Sequence, residues 1–232
     1  MITNLHLDIS VQPDDTTCGP ACLHSVYDYY GDSISLQQVV TEVKSLKGGG
    51  TLAVLLANHA LRRGYKATIY TYNLHVFDPT WFTEKERLAE KLKGQAAIRN
   101  DEKLSFATHG YLEFLERGGK ILFEDLTIGL IRQFLKKSIP ILTGLSSTYL
   151  YRSVRENPEN DLDDNIAGYP TGHFVVLSGY DKEKREVLVA DPYKMNPVSH
   201  DHYYMVSIAR LLGAVLLGIL THDANLLIIE PR

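Results

Sequence analysis

The sequence predicts an α+β domain, helical in front and closed by a mostly antiparallel sheet behind. Three observations carry this. Apolar residues recur at helical spacing through the first third of the chain. Near position 173 the pattern changes to a run of β-branched residues, a charged turn and a second apolar strand. No stretch repeats and none is of low complexity, so the 232 residues read as one domain, 1–232, with a helical insertion at about 73–138.

The elements follow in order. Thr17 is placed as an N-cap, Gly19 and Pro20 suit a first helical turn, and Ala21, Cys22, Val26 and Tyr29 share a face that ends at Gly31. A second helix is expected over Leu36–Leu46. After Gly48-Gly49-Gly50 comes a third, Thr51–Arg63, and then a strand, Lys66–Tyr72. The glycine run lacks the Gly-Lys-Ser/Thr that a phosphate loop requires. In the insertion, helices are expected at Thr83–Lys93, Leu104–Arg117 and Leu126–Lys137, with a strand at Lys120–Phe123. A buried strand follows at Ile139–Gly144, then a long acidic loop, Arg152–Pro170, holding Glu156, Glu159, Asp161, Asp163 and Asp164. The hairpin pairs His173–Tyr180 with Glu186–Ala190. A buried helix over Val206–Leu220 and a closing strand, Leu226–Ile229, complete the chain.

Composition excludes several functions. With 24 Lys and Arg against 28 Asp and Glu, the net charge of -4 and the lack of a basic cluster oppose nucleic-acid binding. The longest apolar run, Leu211–Leu220, is far short of the ~20 residues that cross a bilayer. No basic n-region or apolar h-region opens the chain, so the expected compartment is the cytoplasm, with no membrane partner. Two cysteines make no disulfide framework, and thiols are expected to stay free there.

One thiol sits where chemistry would need it. A cysteine at a helix N-terminus faces the positive end of the dipole and free N–H groups, which favour thiolate, the nucleophilic form. Cys18 is so placed, and Gly19 after it would leave room for a substrate carbonyl. His173 opens one hairpin strand and Asp191 closes the other, so folding brings base and orienting acid to one end of the sheet. The Cys18 backbone N–H and the Gln12 side-chain amide would be the oxyanion donors. Cys22, one turn further, reads as core packing ahead of a resolving thiol. His200-Asp201-His202 lacks further ligands at matching spacing and reads as a solvated loop rather than a metal site. The acidic loop could favour basic substrates or be solvated. No cofactor is implied.

The segment Gln12-Pro13-Asp14-Asp15-Thr16-Thr17-Cys18-Gly19-Pro20 resembles the active-site segment of the bacteriocin-leader-processing peptidases, a bacterial branch of the papain-like cysteine peptidases. The Gly172-His173 pair with its apolar strand and the Asp191-Pro192 pair match that family's later motifs. The resemblance covers about 10–72 and 139–195. It implies a papain-like fold and a cysteine peptidase acting on a peptide or small amide through an acyl-enzyme, with Cys18 as nucleophile, His173 as base, Asp191 as orienter and Gln12 in the oxyanion hole. Without a membrane segment the chain looks like the stand-alone members rather than those fused to an export transporter. The stand-alone group implies a functional link to an ATP-grasp ligase. An acyltransferase on the same scaffold and a peptide-binding pseudoenzyme are the alternatives.

Overall fold

The computed structural model describes residues 2–47, 49–83, 87–160 and 162–232. The chain runs β1 (Ile2–Asn4), α1 (Cys18–Tyr29), α2 (Leu36–Glu42), α3 (Ala53–Arg62), β2 (Lys66–Thr71), α4 (Leu88–Ile98), α5 (Glu102–Glu116), β3 (Lys120–Leu122), α6 (Ile128–Leu135), β4 (Ile141–Ser146), α7 (Ser147–Tyr151), β5 (Gly172–Asp181), β6 (Glu186–Ala190), β7 (Tyr203–Ser207), α8 (Ile208–Leu217) and β8 (Asn225–Glu230). The eight strands form one sheet in the order β3-β2-β8-β4-β5-β6-β7, with β1 paired to the far end of β5. Every pairing is antiparallel except β2 with β3.

The sheet is covered on both faces. Alternate residues Leu142, Phe174, Val176, Leu227 and Ile229 pack with α1, α3 and α5. Their neighbours Ile141, Val175, Leu177, Leu226 and Ile228 pack with α6 and α8. Strands buried on both faces read as unbroken apolar runs. That is why β4 and β5 carry no polar alternation and why the layering is helix, sheet, helix rather than helices in front only. The strand expected to close the chain, β8, lies inside the sheet between β2 and β4.

Other departures have local causes. α2 stops at Glu42 because the chain turns back through Thr51 Oγ1 donating to Lys44 O and Leu46 N–H to Gly50 O. The helix expected from Thr83 to Lys93 crosses residues 84–86, which lie outside the described residues; Thr83 ends a 3-10 turn, and α4 itself runs Leu88–Ile98. Tyr203–Ser207 is a strand, not the start of a helix: its burial alternates, and the Ser207 hydroxyl accepts the Arg210 N–H to begin α8 only afterwards. The five-residue α7, capped by Ser146, is absent from the sequence reading. The acidic loop folds on itself, with Glu156 bridging to both Asp163 and Tyr169. Asp161 lies outside the described residues, as does Gly48.

α1 carries the thiols and is pinned from behind. Tyr27, fully buried, shares a 2.8 Å hydrogen bond with His59 Nδ1, and His59 Nε2 meets Glu42 at 3.0 Å. Arg63 lies over the Tyr27 ring.

Candidate active site

Cys18 is the first residue of α1, so its N–H has no acceptor within the helix. Thr17 precedes it but does not cap by its side chain: its hydroxyl donates to Asp14 O at 3.0 Å and accepts the Asp14 N–H at 3.1 Å. The capping potential is spent on shaping the loop that delivers Cys18. Gly19 serves packing rather than substrate entry. A Cβ there would come within 2.6 Å of Thr51 Cγ2 and 3.2 Å of both Leu56 and Phe174. Cys22 is fully buried, and its thiol donates to Phe174 O at 3.2 Å. Burial above all, with the charges of Cys18 and Asp191, pushes that thiol well up, which keeps it a core residue.

His173 and Asp191 meet at the end of β5 and β6. His173 Nε2–H donates to Asp191 Oδ1 at 2.8 Å, and both side chains are buried. The other ring nitrogen, Nδ1, is not used by Asp191, and the Cys18 thiol is among the groups that act on the ring. Burial pulls the imidazole pKa down. The Asp191 charge, Cys18 and the hydrogen bonds from both outweigh it and carry the pKa up to about 10. At neutral pH the ring is an imidazolium.

Asp191 is held by more than its histidine. Oδ1 also accepts the Tyr193 N–H at 2.9 Å, while Oδ2 accepts Tyr151 OH at 2.7 Å and Tyr204 OH at 2.6 Å. Burial raises the carboxyl's pKa, but the His173 charge and these donors prevail and hold it below the ordinary aspartate value. The two tyrosines come from α7 and β7, which the sequence pattern does not announce. A Tyr-Tyr pair in a strand-like alternation, Tyr203-Tyr204, was the only signal available. His202 has a supporting place as well: its Nδ1 bonds Asp191 O at 2.7 Å, and its carbonyl accepts the Asp191 N–H at 2.8 Å.

Gln12 is tied to the same region through its backbone, whose N–H donates to Pro192 O at 3.2 Å. Its side chain turns partly into its own loop, with Nε2 donating to Asp14 O at 2.9 Å and Oε1 buried without a partner. Asp14 O takes one of the two amide hydrogens. A cavity of about 830 Å³ lies elsewhere, between Leu46, Gly49, Arg99, Lys103 and Phe106. It includes none of Cys18, His173 or Asp191. Among the described residues no His, Cys, Asp or Glu cluster forms a metal site, and no helix is long and apolar enough to cross a membrane.

Residues 118–209, which include His173 and Asp191, match the profile of the Peptidase C39-like family. The chain resembles the C39-like cysteine peptidases. A crystal structure described as a C39-like peptidase from Bacillus anthracis shares its fold, with a TM-score of 0.56 at 14% identity over 100% of this chain and 98% of that one. Two further structures align less closely. The double-glycine-motif protease of an AMS/PCAT transporter, solved with its leader peptide, gives a TM-score of 0.47 at 16% identity over 99% and 94% of the two chains. Xylellain, a cysteine protease of Xylella fastidiosa, gives 0.47 at 13% identity over 100% and 86%. No curated protein matches the chain. The matched segment holds His173 and Asp191 but not Cys18, and the fold is the α+β arrangement expected from the N-terminal motif.

Proposed function

We propose that the protein is a cysteine peptidase that hydrolyses a peptide or small amide through an acyl-enzyme. The observation that carries this is the assembly of Cys18, His173 and Asp191 from three separate segments, with the histidine held positive at neutral pH. A positive imidazole beside a cysteine stabilises the thiolate and has a proton to give. The Cys18 sulfur attacks the scissile carbonyl carbon. The oxygen that gains charge is met by the Cys18 N–H and the free Gln12 amide hydrogen. The C–N bond then breaks as His173 protonates the leaving amine, and a thioester remains on Cys18. Water attacks the thioester, His173 takes its proton, and the acid leaves as the thiolate is restored. Asp191 keeps the ring oriented and charged throughout.

The test is a peptide-library cleavage screen of the purified protein beside Cys18→Ala. Cleavage by the wild type that disappears in the variant is the expected result. Cleavage equal in both belongs to another activity and removes Cys18 from the chemistry, while a wild type that cuts nothing overturns the reading.

A further inference from the structure

Asp223 is a buried acid that the mechanism does not use. It sits in the turn entering β8, between His222 at φ 68° and Ala224 at φ 64°, a left-handed conformation that residues other than glycine seldom adopt. The turn is tied down on every side. Asp223 N–H donates to Gly218 O at 3.0 Å, Asn73 Nδ2 to His222 O at 2.9 Å, and Tyr72 N–H to Ala224 O at 2.8 Å. Strain held in place this way gathers at functional sites.

The result is a carboxyl driven into the end of the sheet. Its residue is 6% exposed, and Oδ1 is buried with no hydrogen-bond partner. Two glycines make the space. A Cβ on Gly144 would come within 2.7 Å of Oδ1, and one on Gly172 within 3.1 Å of Oδ2. Gly172 is exposed and stands next to His173 on β5, and the His173 charge acts on the Asp223 carboxyl. Burial pushes Asp223 up to about 8, against the positive charges of Lys103 and His173. Lys103, half-buried on the first turn of α5, supplies charge without bonding Oδ1. A buried acceptor without a donor is costly, and such groups persist where a ligand completes them.

We propose that Asp223 is a specificity residue that receives a primary ammonium group of the substrate beside the bond attacked by Cys18, the ammonium displacing Lys103 as its counter-charge. An ammonium brings both the donor that Oδ1 lacks and the charge that lets the carboxyl ionise. A carboxylate would bring neither and would face Asp191 as well. The proposal leans on the peptidase reading only for the bond attacked, and its test needs only the Cys18 thiol.

Rates of Cys18 modification by three methanethiosulfonates, 2-aminoethyl (cationic), methyl (neutral) and 2-sulfonatoethyl (anionic), are compared in wild type, Asp223→Asn and Lys103→Gln, with the site confirmed by mass mapping. Asp223→Asn should lower the cationic-to-neutral ratio by about tenfold, one ordinary step in binding energy. It should leave the anionic-to-neutral ratio unchanged, and Lys103→Gln should raise the cationic ratio. An unchanged cationic ratio in both variants overturns the proposal. So does an equal and opposite change for the anionic reagent, which would mean diffuse charge and not a site. Lys103→Gln, on a half-buried helix position, decides the matter alone if Asp223→Asn does not fold. A protein that shows the ratio shifts yet cleaves no peptide keeps this subsite and loses the peptidase reading.

Discussion

His173 Nε2–H donates to Asp191 Oδ1 across 2.8 Å, with the carboxyl fully out of solvent. The sign of its pH dependence follows from the two shifts. His173 has its pKa raised from 6.5 to about 10, so its stabilisation is complete below pH 6.5 and is lost as pH climbs through about 10. Asp191 has its pKa lowered from 3.8, so its contribution is present above that value and is lost as pH falls through the lowered one. The pair therefore stabilises the fold most between the two ordinary values, 3.8 and 6.5. Asp191→Asn keeps the shape and removes the charge. It should cut turnover by up to roughly 10⁴, the cost of losing the orienting acid in a serine peptidase. Thermal melts from pH 5 to 10 should also show the variant losing the wild type's alkaline decline.

The two phenols on Asp191 Oδ2 give a second prediction. Tyr151→Phe and Tyr204→Phe each take one donor from a buried carboxylate, a change worth about 1–3 kcal/mol. Those donors help hold the Asp191 pKa down, so their removal lets it rise. Acid unfolding should then begin at higher pH in each variant, and further still in the double one. A control such as Tyr149→Phe, on an exposed side chain, should not move it.

The two thiols should part company in labelling. Cys18 adjoins the imidazolium, whereas Cys22 is fully buried, donates to Phe174 O and is pushed well up. Iodoacetamide at pH 6 followed by mass mapping should find the label on Cys18. Label on Cys22 instead would reverse the assignment.

Gln12→Ala should lower kcat much more than it raises KM. A lost oxyanion donor has cost about 2.7–4 kcal/mol in another hydrolase, and it acts in the transition state. The variant removes the buried, unpartnered Oε1 together with the Nε2–H bond to Asp14 O, so a thermal melt is run beside the kinetics. Equal turnover of Gln12→Ala and wild type would leave the Cys18 N–H as the only donor of the pair.

The acidic loop is less uniform than its composition implies. Asp164 accepts the N–H groups of Ile166 and Ala167, and Arg155 donates to Asn165 O and Ile166 O, so part of its polarity builds the loop itself. Any bias toward basic substrates would rest on the other carboxylates.

Much of the site could be read from the chain alone, because its signals are local or depend on a simple hairpin. The Cys18 helix start follows from Gly19, Pro20 and the spacing behind them, and β5 and β6 from their apolar runs around a charged turn. A hairpin returns its ends to one place, which is enough to set His173 beside Asp191. What tertiary structure alone decided comes from contacts between distant segments. Tyr151 and Tyr204 lie 40 and 13 residues from Asp191 and reach it only because α7 and β7 pack around the hairpin. Gly19 is small because Thr51 and Phe174 arrive beside it, and Asp223 is buried because Gly144 and Gly172 leave it space on two other strands. Residue type and spacing state what a side chain can do. Which partners meet it is set by the packing of a sheet covered on both faces, and no local pattern encodes that.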